Sequence, residues 1–352
     1  MSWTVADSLD VIAPYLPGTL LSAGARRNIW GVARRLPAPL TECLGFELPL
    51  GDPRRRADFA VQISTPRGRR LLAGAGRTPD FPAVVGDDRA WACIRRFADA
   101  WSDDRSPLGR LFASTWLEFD VDPAAPGHRI PSVFMTAAPD AGDELLEWIR
   151  TGAELIGGAP LSTATADAVA ECVGALPRGA TVHQVGTMLS RRFTPLRLCF
   201  TGIDVGAMPD YLADIGLPDQ AASARRLTER LLDEDGKAML HLDIVDGLLP
   251  RFGVEYSVTE NQELGGRPEA RWEAFMDRLV GHRLCTPQKR AGVLAWAGSS
   301  HEQFKHQPCP SLVFRGLSHI KIDCRPGREP ISKAYIGFIP DRLTLLFAGA
   351  ET

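Results

Sequence analysis

The order of predicted helices and strands repeats five times along this chain, and the repeat restricts the fold more than any single motif does. Each unit places helical segments before two short segments of alternating apolar and polar residues. The predicted helices cover residues 4–15, 18–35, 88–101, 141–156, 163–175, 207–215, 219–234, 268–281 and 287–297. The predicted strand pairs are 58–65 with 70–75, 114–121 with 131–136, 181–191 with 195–201, 238–246 with 252–258, and 317–324 with 331–338.

The connections within each strand pair are short, which indicates antiparallel hairpins. A parallel doubly wound fold would alternate one strand with one helix, and this chain does not. Ten antiparallel strands preceded by helices can close into a barrel, which also removes exposed sheet edges. The predicted fold class is therefore α/β: five repeated ααββ units form a ten-stranded antiparallel β-barrel surrounded by helices, with residues 1–352 as a single domain.

Composition excludes several classes of protein. Of the 352 residues 45% are hydrophobic and 24% are charged, as in globular domains, and the net charge of -3 argues against binding to nucleic acid or an anionic membrane. No apolar run is long enough for a membrane span, and no signal peptide is recognised. The seven cysteines are scattered and contain no CxxC pair, so we expect a cytoplasmic location. The excess of Arg over Lys is typical of GC-rich bacterial genomes.

The alternation within the strands predicts which residues face the inside of the barrel. Apolar sets such as Leu240, Leu242 and Ile244 should pack on the helices, and the alternate polar sets should line the lumen. The other interpretation is a sheet whose polar face meets water. If the sheet closes, charged side chains in the lumen must form ion pairs or take part in a functional site, because isolated buried charges are costly. This favours a functional chamber. The residues assigned to it are Trp116, Glu118, Asp120, Arg197, His241, Asp243, Glu255, His319, Lys321, Asp323, Lys333 and Tyr335.

Two short motifs accompany the five-fold order. Asp103-Asp104-Arg105-Ser106-Pro107 precedes the strand at 114–121, and Lys333-Ala334-Tyr335 lies in the last strand. With these features the chain resembles the ABBA-type (PT-barrel) aromatic prenyltransferase superfamily, as a divergent member distantly similar to the indole prenyltransferase branch. The resemblance covers nearly the whole chain in its order of elements. In that branch a Glu that closely follows the Pro binds the indole N–H; here Leu108-Gly109 stand there, and Glu118 is the nearest strand Glu.

The resemblance implies a bacterial enzyme of specialised metabolism, which transfers or cyclises an allylic isoprenoid group on an aromatic or peptide acceptor. Arg197, Lys321 and Lys333 would then hold an allylic diphosphate, with Tyr335 beside the cation. Glu118 would orient or deprotonate the nucleophile. No cofactor is certain, although Mg²⁺ could bridge the lumen acids and the diphosphate. Trp116 could stack on an aromatic group or shield a cation.

Two other functions are compatible with the same polar lumen. One is a non-catalytic barrel that binds a peptide or a small molecule. The other is an acid–base enzyme of cyclase or isomerase type, in which His241 with Asp243, or His319 with Asp323, forms a coupled pair along one strand. The candidate catalytic residues are Glu118, His241, Asp243 and Glu255. The candidate substrate-binding residues are Trp116, Asp120, Arg197, His319, Lys321, Asp323, Lys333 and Tyr335.

Overall fold

The computed structural model describes residues 3–74, 89–103, 105–121, 130–138, 144–191, 194–233, 237–258, 270–305 and 310–339. The strands are β1 (Cys43–Pro49), β2 (Asp58–Ile63), β3 (Phe112–Phe119), β4 (Ser132–Ala137), β5 (Thr181–Thr187), β6 (Leu196–Thr201), β7 (Lys237–Ile244), β8 (Leu248–Ser257), β9 (Gly298–Glu302), β10 (Ser311–Cys324) and β11 (Ile331–Ile339). The α-helices are α1 (Val5–Ile12), α2 (Ala23–Ala33), α3 (Pro66–Ala73), α4 (Arg89–Ser102), α5 (Pro107–Leu111), α6 (Leu145–Gly157), α7 (Thr163–Gly174), α8 (Met208–Asp214), α9 (Pro218–Leu231), α10 (Ala270–Gly281) and α11 (Pro287–Trp296).

Ten of these strands close into one antiparallel barrel, which confirms the predicted fold class. Strands β1 to β8 pair in sequence order, β8 pairs with β10, and β11 pairs with both β10 and β1. Strand β9 is an eleventh strand that the sequence analysis did not predict. It pairs only with the first part of β10, at 311–315, while β8 pairs with the second part, at 320–324.

The predicted first strand pair is wrong in its second member. Residues 58–63 form β2 as expected, but 70–73 belong to helix α3. The sequence carries the signal for that helix: Thr65 caps it by accepting a hydrogen bond from the Gly68 N–H, and Pro66 occupies its first position. The true partner of β2 is β1, whose buried Leu44 and Phe46 alternate with smaller or polar residues.

Substitution of Thr65 by alanine should destabilise the protein by about 1 kcal/mol. The Thr65 hydroxyl accepts from the Gly68 N–H at 3.2 Å and donates to Glu42, so both bonds are lost in Thr65→Ala. Urea denaturation monitored by circular dichroism measures the difference in unfolding free energy. An unchanged midpoint would contradict the assignment of Thr65 as the helix cap.

The outer face of the barrel packs on the helices through aromatic pairs. Phe46 of β1 meets Trp296 of α11 edge to face, and Phe112 of β3 meets Trp148 of α6 with ring centroids 5.2 Å apart. Similar contacts join β6 to α8 and β8 to α10. Burial of this apolar layer between strands and helices provides the main hydrophobic core, and it leaves the other strand face to the lumen.

Within the ranges given above, no helix is both long enough and apolar enough to cross a bilayer. Six of the seven cysteines lie in those ranges, and all six are buried free thiols.

Candidate functional site

The lumen contains two cavities that meet at the middle of the barrel. The wider cavity has a volume of about 410 Å³ and lies at the end where β1, β3 and β5 begin. The narrower one, of about 40 Å³, lies at the opposite end and is lined mainly by charged residues. Glu118 and Tyr335 line both cavities. The side chains of Glu118 and Tyr335 therefore lie where they could contact a molecule bound in either cavity.

The structure places most of the predicted lumen residues inside the barrel. Trp116, Glu255 and His319 line the wider cavity, and Arg197, His241, Asp243, Asp323 and Lys333 line the narrower one. Lys321 is buried between them, next to His241. Asp120 also lines the narrower cavity, at its rim, where its side chain is 43% exposed and bonds to Ser190 and Arg191.

Charges at the narrow end neutralise one another. Arg197 donates two hydrogen bonds to Asp243, at 2.7 and 3.1 Å, and the Nε atom of Arg251 lies 2.7 Å from the same carboxylate. Burial on its own would raise the pKa of Asp243, but the two guanidinium groups outweigh burial and hold that pKa well below its usual range. Asp243 is therefore an ionised anchor for two arginines. This environment does not suit an acid or base that must change its protonation state.

A second cluster contains Glu47, which the sequence analysis did not identify because β1 was not predicted. Glu47 pairs in register with Tyr335 and accepts a short hydrogen bond from its hydroxyl. The Nζ atom of Lys333 lies 2.6 Å from Glu47 and 3.8 Å from Asp323. Burial would raise the pKa of Glu47, but Lys333 and Tyr335 lower it to about 2. The alternation of Leu44, Phe46 and Leu48 with Glu47 was the signal available in the sequence.

Two of the histidines that line the lumen, His241 and His319, contact Glu255. The Nε2 atom of His241 lies 3.1 Å from Glu255 Oε1, and that of His319 lies 3.2 Å from Glu255 Oε2. Lys321 Nζ lies 3.0 Å from His241 Nδ1 and 3.5 Å from Glu255. An ammonium group can only donate, so His241 Nδ1 is the acceptor and its proton is on Nε2, facing the carboxylate. Glu255 thus orders a polar network across the waist of the barrel.

The predicted His241–Asp243 and His319–Asp323 pairs are therefore wrong. His241 and Asp243 are two positions apart, about 7 Å along a strand, and His319 and Asp323 are four positions apart, whereas direct cross-strand neighbours are about 5 Å apart. Strand β8 brings Glu255 opposite Lys321 on one side and opposite Met239 on the other, which places it within reach of both histidines. The partner could not be chosen without the strand register.

Burial keeps both histidines neutral at pH 7. It lowers the pKa of His241 to about 4, although the charge of Glu255 opposes the shift and that of Lys321 adds to it. The pKa of His319 is lowered by burial as well, again against Glu255. Burial would raise the pKa of Glu255, but the histidines and Lys321 lower it well below its usual range. An ionised carboxylate beside a neutral imidazole stabilises the imidazolium that forms when the ring accepts a proton.

One wall of the lumen is apolar. Phe134, Met188, Cys199 and Met239 form a buried cluster that is separate from the main core, and Trp116 packs against it. Phe134 lies over Gly186, where any side chain would collide with its ring. The lumen therefore offers an apolar patch on β3, β4, β6 and β7 beside the charged groups that line the rest of it. A molecule with an aromatic or aliphatic part and a polar group matches this division.

Glu118 is the acid with the most unusual surroundings. Among the described residues, none forms a hydrogen bond or an ion pair with its carboxyl group, which lines both cavities. Burial raises the pKa of Glu118 to about 8, and the charges of Glu47 and Glu255 add to the shift. Lys321 and Arg197 oppose it without reversing it. At neutral pH Glu118 is a protonated carboxylic acid that faces a cavity.

Asp58, which the sequence analysis did not select, has a related environment. Burial and the nearby charge of Glu47 raise its pKa to about 7, although its Oδ1 accepts a hydrogen bond from the Val121 N–H at 2.8 Å. Asp58 lies opposite Glu47 in the β1–β2 register. The two carboxyl groups favour one shared negative charge, because Lys333 stabilises that charge on Glu47.

The motif Asp103-Asp104-Arg105-Ser106-Pro107 lies at the start of α5, and Asp104 lies outside the described residues. The other four residues form a turn that caps this helix. The Ser106 hydroxyl accepts from the Leu108 N–H, and Asp103 accepts from the Arg105 N–H. Pro107 is the first residue of α5. No group of three or more His, Cys, Asp or Glu side chains suited to a metal is present among the described residues.

The pH dependence of stability should reveal the proton on Glu118. The pKa of Glu118 in the folded protein, about 8, lies above its unfolded value near 4.5, so the folded state retains a proton that the unfolded chain loses between these values. This contribution is fully present below pH 4.5 and is lost as the pH rises towards 8. Glu118→Gln removes this loss, so the melting temperature of the variant relative to wild type should rise from pH 5 to pH 8. A difference in melting temperature that does not change with pH would contradict the raised pKa of Glu118.

No protein-family model matches the sequence, and no curated protein matches it at a significant level. The barrel architecture and the geometry of its lumen are therefore the basis for a functional assignment.

Proposed function

We propose that this chain is an enzyme of cyclase or isomerase type, which moves protons on a largely neutral molecule held in the barrel lumen. The observation that carries the proposal is Glu118: a carboxylic acid at the junction of two cavities, with no partner among the described residues. A structural carboxyl group at such a depth is normally paired or hydrogen bonded. An unpaired, protonated one is suited to donate a proton or a strong hydrogen bond to a bound molecule.

His319 supplies the complementary proton acceptor. It lines the same wide cavity as Glu118, its ring is neutral, and Glu255 lies 3.2 Å from its Nε2 atom. The ring is held from the other side by Tyr335, which stacks on it with centroids 4.3 Å apart. The pair thus consists of an acid that is protonated at pH 7 and a base that is unprotonated at pH 7, as general acid–base catalysis requires.

The apolar wall defines the kind of substrate. Trp116 and Met239 line the wide cavity next to the acid and base, and Phe134 packs behind them. The cavity of about 410 Å³ suits a molecule of small-drug size or an aromatic side chain of a peptide. A substrate with much negative charge would be opposed by the ionised carboxylates of Glu47 and Glu255.

Elimination of the proton from unsubstituted benzisoxazole, whose phenolate leaving group is basic enough to accept a proton from Glu118, tests this proposal without knowledge of the natural substrate. His319 would take the carbon-bound proton, the N–O bond would break as the nitrile forms, and Glu118 would protonate the phenolate oxygen. Wild type should catalyse the reaction above the rate in buffer, and His319→Ala should abolish the acceleration. If wild type gives no acceleration, or if His319→Ala retains it in full, the proton-transfer proposal fails, and a non-catalytic barrel that binds a peptide or small molecule is favoured.

Prenyl transfer is the second candidate, favoured by the ten-stranded barrel ringed by helices and by Tyr335 in the lumen. The opposing observation is that Arg197, Lys321 and Lys333 each lie within ion-pair distance of a carboxylate. A diphosphate would have to displace those carboxylates or bind through Mg²⁺. Calorimetry with dimethylallyl, geranyl and farnesyl diphosphates, with and without Mg²⁺, tests whether the lumen binds a prenyl donor. Heat of binding from any of them would support transfer, and no heat from all three would exclude it.

A further inference from the structure

A β-bulge in β10 turns one serine towards the lumen next to His319. The pairing of β10 with β11 shifts register between Leu317 and His319, which makes Ser318 the extra residue. Side chains normally alternate between the two faces of a strand, and a bulge suspends that rule locally. Ser318 and His319 consequently line the same cavity although they are adjacent in sequence. Period-2 alternation had no means of finding Ser318.

The three groups form a connected set. Ser318 Oγ lies 3.0 Å from His319 Nδ1, and His319 Nε2 lies 3.2 Å from Glu255 Oε2. The His319 Nε2 atom does not have hydrogen-bond geometry to Glu255, but the negative charge of that carboxylate 3.2 Å away favours the ring proton on Nε2, which makes Nδ1 the acceptor. The Ser318 hydroxyl must then donate to Nδ1. A hydroxyl that donates to a neutral imidazole, which in turn faces a carboxylate, has the connectivity of an activated nucleophile.

We propose that Ser318 is the nucleophile of an acyl-transfer reaction, with His319 as its base and Glu255 as the group that orients the base. The inference rests on the proposed function, because it uses the same proton acceptor. It adds the substrate class: an ester, thioester or activated amide whose acyl part occupies the cavity of about 410 Å³.

The Ser318 oxygen bonds to the acyl carbon while its proton passes to His319 Nδ1, and the carbonyl π electrons move to the oxygen. That oxyanion receives a hydrogen bond from Glu118, which lines the same cavity. The intermediate collapses, the leaving alcohol, thiol or amine takes the proton from Nδ1, and an acyl ester remains on Ser318. Water or a second nucleophile, including an internal one in a cyclisation, then attacks the acyl ester by the same steps and frees the serine.

Diisopropyl fluorophosphate tests the nucleophile directly, because it phosphorylates activated serines with loss of fluoride. Intact-mass spectrometry of the full chain should show one addition, and peptide mapping should place it on Ser318. Ser318→Ala should prevent the addition. His319→Gln should slow it by about 100-fold, the effect of losing a general base. Ser132→Ala is the matched control, since Ser132 bonds to Ser190 and no histidine, and it should be labelled as fast as wild type.

The outcomes separate this inference from the proposed function. Labelling of Ser318 that falls in His319→Gln supports the nucleophile. An unlabelled wild type, or equal labelling of Ser318→Ala, overturns it. Proton elimination by untreated wild type is measured in parallel and does not depend on a serine adduct. If elimination occurs and labelling does not, only the nucleophile is wrong; if labelling occurs and elimination does not, only the acid–base proposal is wrong. Circular dichroism confirms that each variant is folded.

Discussion

Asp243→Ala is expected to destabilise the protein by about 3–5 kcal/mol. The substitution leaves Arg197 and Arg251 close together without their shared carboxylate, and the Arg197 side chain is only 13% exposed. A buried guanidinium cannot lose its proton to escape the cost, because its pKa is above 12. Urea denaturation at pH 7 should therefore show a large drop in midpoint with little change in slope.

Asp210→Ala is the matched control for this prediction. Asp210 also pairs with an arginine, Arg225, but both side chains are mostly exposed, so its loss should cost less than about 1 kcal/mol. A second variant, Asp243→Ala with Arg197→Met, should recover part of the stability because one unpaired charge is removed. A loss below 1 kcal/mol in Asp243→Ala would contradict the description of Asp243 as a buried anchor.

Glu118→Gln is expected to lower kcat/KM for elimination of unsubstituted benzisoxazole by about 100-fold. The amide can still donate a hydrogen bond to the phenolate, but it cannot transfer a proton. Glu147→Gln on α6 is the matched control: Glu147 lies outside the barrel in an exposed pair with Arg150, and its substitution should leave the rate unchanged.

The pH dependence of the elimination activity is a second test of the same prediction. Wild-type activity should fall as the pH rises through about 8, because Glu118 then loses its proton. It should also fall in acid as His319 becomes protonated, below the ordinary range for histidine. In Glu118→Gln the alkaline limb should disappear and the acid limb should remain. A wild-type profile without an alkaline limb would contradict the role of Glu118 as proton donor.

The architecture of this protein was predictable because its signals are local and repeated. Alternation placed Leu240 and Leu242 outside and His241 inside, and closure of the sheet followed from five hairpins preceded by helices. The first hairpin was not predictable on the same basis. The helix at residues 66–73 is short and has few apolar residues, and the signals that distinguish it from a strand are the Thr65-Pro66 cap at its start and Gly74, in the left-handed conformation, at its end.

The composition of the lumen was predictable, but its contacts were not. Period 2 identified Glu255, His319 and Lys321 as neighbours in the chamber, whereas the contact of both histidines with Glu255 depends on register between different strands. Glu47 was missed together with its strand, and Ser318 was missed because a bulge suspends alternation. The alternation of residues along the strand thus predicted the proposed acid, Glu118, but it could not predict the proposed nucleophile, Ser318, which lies at the bulge.

Charge balance in the lumen explains why the proposals favour a largely neutral substrate. Arg197 and Lys333 each contact a carboxylate, as does Lys321. Among the described residues, Glu118 lines both cavities and keeps its proton at neutral pH without an ion-pair partner. A barrel of this kind can shield reactive intermediates from water whichever chemistry it performs.

The protonation state of Glu118 is the central claim, and carboxyl ¹³C NMR measures it directly. Protein labelled at the side-chain carboxyl carbon of glutamate is titrated from pH 4 to pH 10, and the Glu118 signal is assigned by its absence in Glu118→Gln. The structure predicts a transition near pH 8, far from the ordinary glutamate value near 4.5. A Glu118 signal that titrates at or below 4.5 would show an ionised carboxylate at neutral pH and would contradict the proposed proton donor.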